Sequence, residues 1–242
     1  MAYISYNPWT GRTMATFPEM EDREIGDIVS AAGEAFRKWR HVPAARRYDL
    51  LRSMAEQLKS RRREVAEIMA TEMGKPVSQG MAEADKCALL CSWYADHAAA
   101  MLQPERRESS ARESYVYYEP QGIILGIMPW NFPFWQVFRF IVPALTGGNG
   151  ALLKHASNVP QCALAIEEIV RASGYPDGLF RTLFPTHDQV SALISSPLVR
   201  GVSLTGSNTA GSSVAAIAGK NLKKIVMELG GSDPFIVFPD AS

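Results

Sequence analysis

The chain has 242 residues, 47% of them hydrophobic, and its 25 Lys+Arg are balanced by 25 Asp+Glu. That length supports one large α/β domain or two smaller units, each with a core of its own. The neutral balance gives no electrostatic argument for nucleic acid or an anionic membrane surface, so a small molecule or another protein is the expected partner.

The opening MAYISYNPWTGRT has no basic stretch followed by an apolar one, and the apolar uncharged stretch at residues 122–138 is interrupted by Pro129, Asn131 and Pro133. Neither an export signal nor a membrane span is expected. Cys87, Cys91 and Cys162 are an odd set, which argues against a disulfide framework and for a reducing, cytoplasmic setting.

Helical periodicity predicts three amphipathic helices over residues 22–40, 44–73 and 77–101. In the second, the charge run Arg61, Arg62, Arg63, Glu64 reads as a solvated face. A polar segment then leads into Tyr115, Val116, Tyr117 and Tyr118 before Pro120. This predicts a β-arm that either pairs with a neighbouring subunit or packs as an edge strand on its own domain. From residue 122 short apolar strands alternate with helices, the pattern of a mostly parallel sheet. Strands are predicted at 123–128, 150–154, 179–184, 201–205 and 224–229, and helices at 134–145, 160–173, 188–195 and 207–218.

Four stretches of this second part carry candidate chemistry. In GIMPWNFPFWQVFRF, Pro129 and Pro133 stiffen a loop after the carboxyl end of a strand, where ligands bind in open α/β sheets. Asn131 in that loop either offers its side-chain NH2 to a developing oxyanion or caps the next helix. In ALLKHASNVP, Lys154 ends a strand, either solvated or reaching a ligand's hydroxyls or phosphate. In VSLTGSNTAGS, Gly206 and Ser207 open a helix N-terminus, an anion cradle in outline or ordinary turn chemistry. In MELGGSDPF, Glu228 is a candidate general base or a surface residue; Val226, Met227 and Leu229 predict limited solvent access, and Gly230-Gly231 permits a ligand to come close.

Together and in order, MPWNFPFW, LLKHASNVP, LTGSNTAG and MELGGSDPF resemble the aldehyde dehydrogenase superfamily, particularly its succinate-semialdehyde dehydrogenase-like branch. The resemblance runs from NPWTG near residue 7 to the end of the chain. It implies a Rossmann-like α/β fold, a mostly parallel sheet with helices on both faces. An N-terminal helical part (1–105) and a β-arm serving oligomerisation (106–121) come first, then an NAD(P)-binding unit (122–231) and the start of a catalytic domain (232–242). The implied chemistry is attack of a cysteine thiolate on an aldehyde, hydride transfer to NAD or NADP, and hydrolysis of a thioester.

Carried over to matching positions, Asn131 is the oxyanion donor and Glu228 the base for the hydrolytic water. Lys154 binds the adenosine ribose, Gly206 and Ser207 the pyrophosphate, and Ile127, Met128, Pro129, Trp130, Leu229 and Gly230 line the cofactor cleft. Ser157 stands where NAD-preferring relatives carry a glutamate, so NADP is expected to be tolerated. Arg139, about two helical turns beyond Asn131, either meets the distal carboxylate of succinate semialdehyde or is a plain surface residue.

The family's nucleophile lies beyond the E-L-G-G motif, past the last residue here, and Cys87, Cys91 and Cys162 read as core residues rather than substitutes. The chain alone is therefore expected to be inactive, as the cofactor portion of a dehydrogenase; the alternative is a non-catalytic dinucleotide-binding or interaction module. No metal site is expected. Apolar surface around residues 234–237 should be exposed, which suggests a homo-oligomer or dependence on a second chain.

Overall fold

A computed structural model describes residues 2–241, so Met1 and Ser242, the outermost residues of the first and last expected segments, lie outside it. The chain begins with a hairpin that the periodicity does not reveal, β1 (Tyr3–Asn7) against antiparallel β2 (Arg12–Phe17). Its turn is built by NPWTG: the Asn7 side chain accepts from the N–H groups of Trp9 (2.9 Å) and Thr10 (3.2 Å), an Asx turn.

Four helices follow: α1 (Asp22–Trp39), α2 (Ala44–Ser60), α3 (Arg62–Met73) and α4 (Val77–Met101). The single helix expected over 44–73 is two. The chain bends at Arg61, whose guanidinium bonds Glu64 (2.5 Å) and reaches across to Glu168 (3.2 Å). Its side chain is only 18% exposed, so the charge run is not a solvated face throughout. Helix α3 stops at Gly74, whose φ of +77° suits a left-handed C-cap that disfavours residues with a Cβ.

The arm pairs β3 (Glu105–Arg106) with antiparallel β4 (Tyr115–Val116). Tyr115, Tyr117 and Tyr118 are exposed on it.

The rest alternates: β5 (Ile123–Met128), α5 (Trp135–Thr146), β6 (Gly150–His155), α6 (Pro160–Ala172), β7 (Phe180–Leu183), α7 (His187–Ser195), β8 (Val199–Thr205), α8 (Asn208–Lys220) and β9 (Lys224–Glu228). The five strands form one parallel sheet in the order β7-β6-β5-β8-β9. The chain runs outward from β5 to β7 and then returns to β8 on the other side of β5. This places a topological switch point, the preferred ligand crevice of such sheets, at the carboxyl ends of β5 and β8.

Alternate strand residues face opposite layers. Ile123, Leu125, Leu152, Val202 and Leu204 pack with α1, α7 and α8, whereas Met128, Ala151 and Leu153 pack with α5, α6 and the helices α2 to α4. Gly126 allows α5 to lie close on β5, since a Cβ there would stand 2.4 Å from the Phe140 ring.

Two buried carboxylates join the helical part to the sheet unit. Neither α5 nor α6 has a side-chain cap of its own. Glu72 at the end of α3 accepts from the N–H groups of Gln161 and Cys162, both at 2.8 Å, and Glu83 of α4 accepts from Phe134 and Trp135, both at 2.9 Å. Each carboxylate satisfies orphan amides and faces the positive end of a helix dipole. Burial raises the Glu72 pKa from its ordinary value, outweighing those amides, which lower it.

Candidate active site at the strand carboxyl ends

Every residue singled out for chemistry falls at or just beyond the carboxyl end of β5, β6, β8 or β9, or on α5. The loop after β5 is the most constrained. Within it Met128, Pro133 and Phe134 are buried, Ile127 and Pro129 half-buried, and Trp130, Asn131 and Phe132 exposed.

His155 grips both ends of this loop from below. It is fully buried, its Nε2 donates to the Pro133 carbonyl (2.9 Å), and its Nδ1 accepts from the Ala156 N–H (2.9 Å) while lying 3.2 Å from the Met128 carbonyl. Burial drops its pKa from 6.5 to about 4, so the ring is neutral at pH 7 and those roles belong to one tautomer.

The loop's outer turn rests on an ion pair. Lys75 and Glu83 form a buried salt bridge, 7% and 2% exposed, and the Lys75 ammonium also donates to the Asn131 carbonyl at 3.0 Å. The same ammonium sits 3.9 Å from the centroid of the Phe132 ring, a cation–π contact. Asn131 does not cap α5, because Glu83 does. Its Oδ1 accepts from the Phe132 N–H (3.1 Å), and its NH2 makes no hydrogen bond among the described residues.

After β8, Ser207 is the N-cap of α8, its hydroxyl accepting from the Ala210 N–H (3.2 Å). Residues 207–210 are exposed, so this helix N-terminus presents its first-turn amides outward. Ordinary turn chemistry and an anion-facing helix end coexist here. Gly206 donates to the Glu228 carbonyl (3.0 Å), and Gly230 to the Asn208 side chain (3.2 Å), which ties the ends of β8 and β9 together. Leu229, itself half-exposed, lies over Gly211, where a Cβ would stand 2.5 Å from it.

Lys154 is half-buried at the end of β6, its Nζ 5.8 Å from the Tyr3 ring centroid, with no ion-pair partner among the described residues. Burial lowers its pKa from the ordinary lysine value. It is not a fully solvated strand-end lysine. Ser157 has an exposed side chain and its carbonyl accepts from the Ile4 N–H (3.0 Å).

Glu228 departs from expectation. Its side chain is 51% exposed, with Val226 at 65% and Leu229 at 44%, because β9 is the outer strand of the sheet and only one neighbour covers it. Its carboxylate pairs with Arg139. The two stand at a small cleft beneath α5, shared with Gln136, Ser203 and Thr205. Arg139 is thus neither free in solvent nor remote from the site. Among the described residues, no hydrogen bond joins Asn131 to Arg139 or Glu228.

Residues 2–242 match the aldehyde dehydrogenase family. The chain belongs to that family. It is 49% identical over 241 residues to a probable NADP(+) succinate-semialdehyde dehydrogenase of Synechocystis, covering 100% of this chain and 53% of the relative. It is 44% identical to a succinate semialdehyde dehydrogenase of Escherichia coli named for NAD(P)+, covering 98% and 52%. The crystal structure of a Streptococcus pyogenes succinic semialdehyde dehydrogenase in complex with NADP+ superposes with a TM-score of 0.94 at 39% identity, covering 100% of this chain and 53% of that one. This aldehyde dehydrogenase chain spans about half the length of the curated relatives it matches.

Within this aldehyde dehydrogenase chain, Lys75, Glu83 and His155 are not among the residues that the sequence singles out. A signal for Glu83 is present: it shares a helix face with Gly80, Ala84, Cys87 and Cys91, all buried, and a carboxylate on such a face requires a partner. The three cysteines are buried, and burial pushes each thiol pKa upward.

Proposed function

We propose that this chain is the cofactor-binding portion of a succinate-semialdehyde dehydrogenase that takes NADP+ or NAD+ and oxidises a semialdehyde to a carboxylate. The observation that carries the reading is the meeting of the motif-bearing loops at the carboxyl ends of one parallel sheet, with Arg139 against Glu228 at the cleft they share.

The residues fit a phosphorylated dinucleotide. Lys154 keeps an ammonium without a carboxylate partner among the described residues, the start of α8 presents outward amides beside Gly206 and Ser207, and Ser157 adds no negative charge next to them. The nicotinamide, when bound, would supply the hydride acceptor for this oxidation. Ile127, Met128, Pro129, Trp130, Leu229 and Gly230 wall its cleft. Asn131 directs its unengaged NH2 at a developing oxyanion, where one such donor is worth about 3 kcal/mol. Glu228 takes the proton of the hydrolytic water. Arg139 pairs with the distal carboxylate of the substrate, displacing Glu228 from its guanidinium.

None of Cys87, Cys91 and Cys162 serves as nucleophile, because each is buried with its thiol held in the neutral form. The segment by itself therefore binds dinucleotide without oxidising aldehyde, and residues 232–241 begin the unit that supplies the thiolate. The exposed tyrosines of the arm serve as a subunit contact, and the unpaired thiols suit the cytoplasm.

Two measurements test this reading. In a dinucleotide titration the 242-residue chain binds NADP+, with NAD+ favoured over it by less than about a hundredfold (about 2.7 kcal/mol), and produces no NADPH from semialdehyde. Binding of neither dinucleotide, or turnover by the chain alone, refutes it. In an active enzyme carrying this segment, Arg139→Ala raises KM for succinate semialdehyde far more than KM for an uncharged aldehyde; equal effects refute the substrate class.

A further inference from the structure

We propose that Lys75 and Glu83 are positioning residues for Asn131, an inference that rests on the reading of Asn131 as the oxyanion donor. The Glu83 carboxylate divides its two oxygens. Oε1 takes the Phe134 and Trp135 amides at the start of α5, and Oε2 takes the Lys75 ammonium. The ammonium carries the connection onward to the Asn131 carbonyl at 3.0 Å and to the Phe132 ring face at 3.9 Å. One buried pair therefore holds the first turn of α5 and the outer turn of the loop in a fixed relation.

That relation sets where the Asn131 side chain points. Holding the Asn131 carbonyl orients the peptide between Asn131 and Phe132, whose N–H then meets Asn131 Oδ1 at 3.1 Å. With the oxygen occupied by its own neighbour's amide, the NH2 donors of this exposed side chain are left without a partner among the described residues. An asparagine on a loose exposed loop would sample several rotamers and both amide orientations. Here the backbone on either side is clamped by two prolines, by His155 and by the ion pair. A donor that is already oriented needs no reorganisation when charge develops, the condition under which an oxyanion contact is effective.

The pair comes from a different part of the chain than the loop it holds. Lys75 lies between α3 and α4, where the left-handed Gly74 turns the chain inward, and Glu83 lies on the buried face of α4. The helical part thus enters the site through backbone contacts, without presenting a group to the ligand.

The test follows the Asn131 side-chain NH2 resonances of the 15N-labelled 242-residue chain, assigned by their loss in Asn131→Asp. In the unaltered chain they carry the heteronuclear NOE of an ordered side chain, although Asn131 is exposed. Lys75→Met and Glu83→Gln drop that NOE toward the value of a freely rotating side chain while far-UV circular dichroism stays unchanged. Lys75→Arg, which keeps the charge and the donors, restores most of it. Should Lys75→Met fail to fold, Glu83→Gln carries the same test, since it retains an acceptor for the α5 amides. An unchanged Asn131 NOE in either folded variant overturns the proposal. Asn131→Ala in an active enzyme carrying this segment reports separately on the underlying reading: an unchanged kcat there sinks the oxyanion role, while the Asn131 signal decides the role of Lys75 and Glu83 independently.

Discussion

The loop after β5 and the end of β9 both carry residues proposed for the same chemistry, yet they are built in opposite ways. The first is supported from within by the Lys75–Glu83 pair and by His155, all buried. The second lies on the outer strand, with Glu228 half-exposed and paired to Arg139, itself 36% exposed. An oxyanion donor gains from being immobile, whereas a base that must release one partner and reach a water gains from a weak hold. Support in this site therefore differs from residue to residue.

The most severe challenge to that contrast is Glu83→Leu. It strands a buried lysine charge and uncaps α5, so urea unfolding should report a loss of about 3–5 kcal/mol, the usual cost of breaking a buried pair. A loss below about 1 kcal/mol would place the pair in the same class as a surface contact.

Next in size is the pH response of His155. Burial sets its folded pKa at about 4 against an ordinary 6.5, so between those values the unfolded chain binds a proton that the folded chain refuses. The contribution is fully present above about pH 6.5 and is lost as pH falls toward 4, by about 3 kcal/mol in all. His155→Gln should flatten that part of the stability profile measured by urea unfolding across pH. An unchanged slope would mean that His155 is not the group responsible.

The mildest change is expected of Glu228→Gln. Its pair with Arg139 is solvent-exposed, so stability should change by less than about 1 kcal/mol, although in an active enzyme carrying this segment thioester hydrolysis should slow. A large loss of stability would erase the contrast between the two regions.

Much of the fold is legible in the sequence because its periodicities are strong. The five parallel strands and the four helices between them lie within about two residues of expectation, since each buries an apolar face whose spacing is visible locally. The hairpin of β1 and β2 leaves no such trace, because only Tyr3 and Ser5 of its residues are buried, too few for an alternation to stand out. The break at Arg61 is equally silent: of its two carboxylate partners Glu64 is local, but Glu168, on α6, is more than a hundred residues away in the chain.

For the site, residue types and order are enough to name Asn131, Lys154, Ser207, Arg139 and Glu228 as candidates and to assign the chain to a family by its motifs. The exposure of Glu228 runs against the sequence expectation, because apolar neighbours in a strand imply cover only when another strand or layer lies over them, and β9 has one strand beside it. Local preferences, then, belong to the sequence alone: strand, loop, cap and the chemical groups at strand ends. That Glu83 caps α5, that Lys75 holds the Asn131 carbonyl and that Arg139 meets Glu228 were settled only when the chain packed. Each of these contacts joins residues far apart in the chain, and such pairs are chosen by packing, which no local propensity encodes.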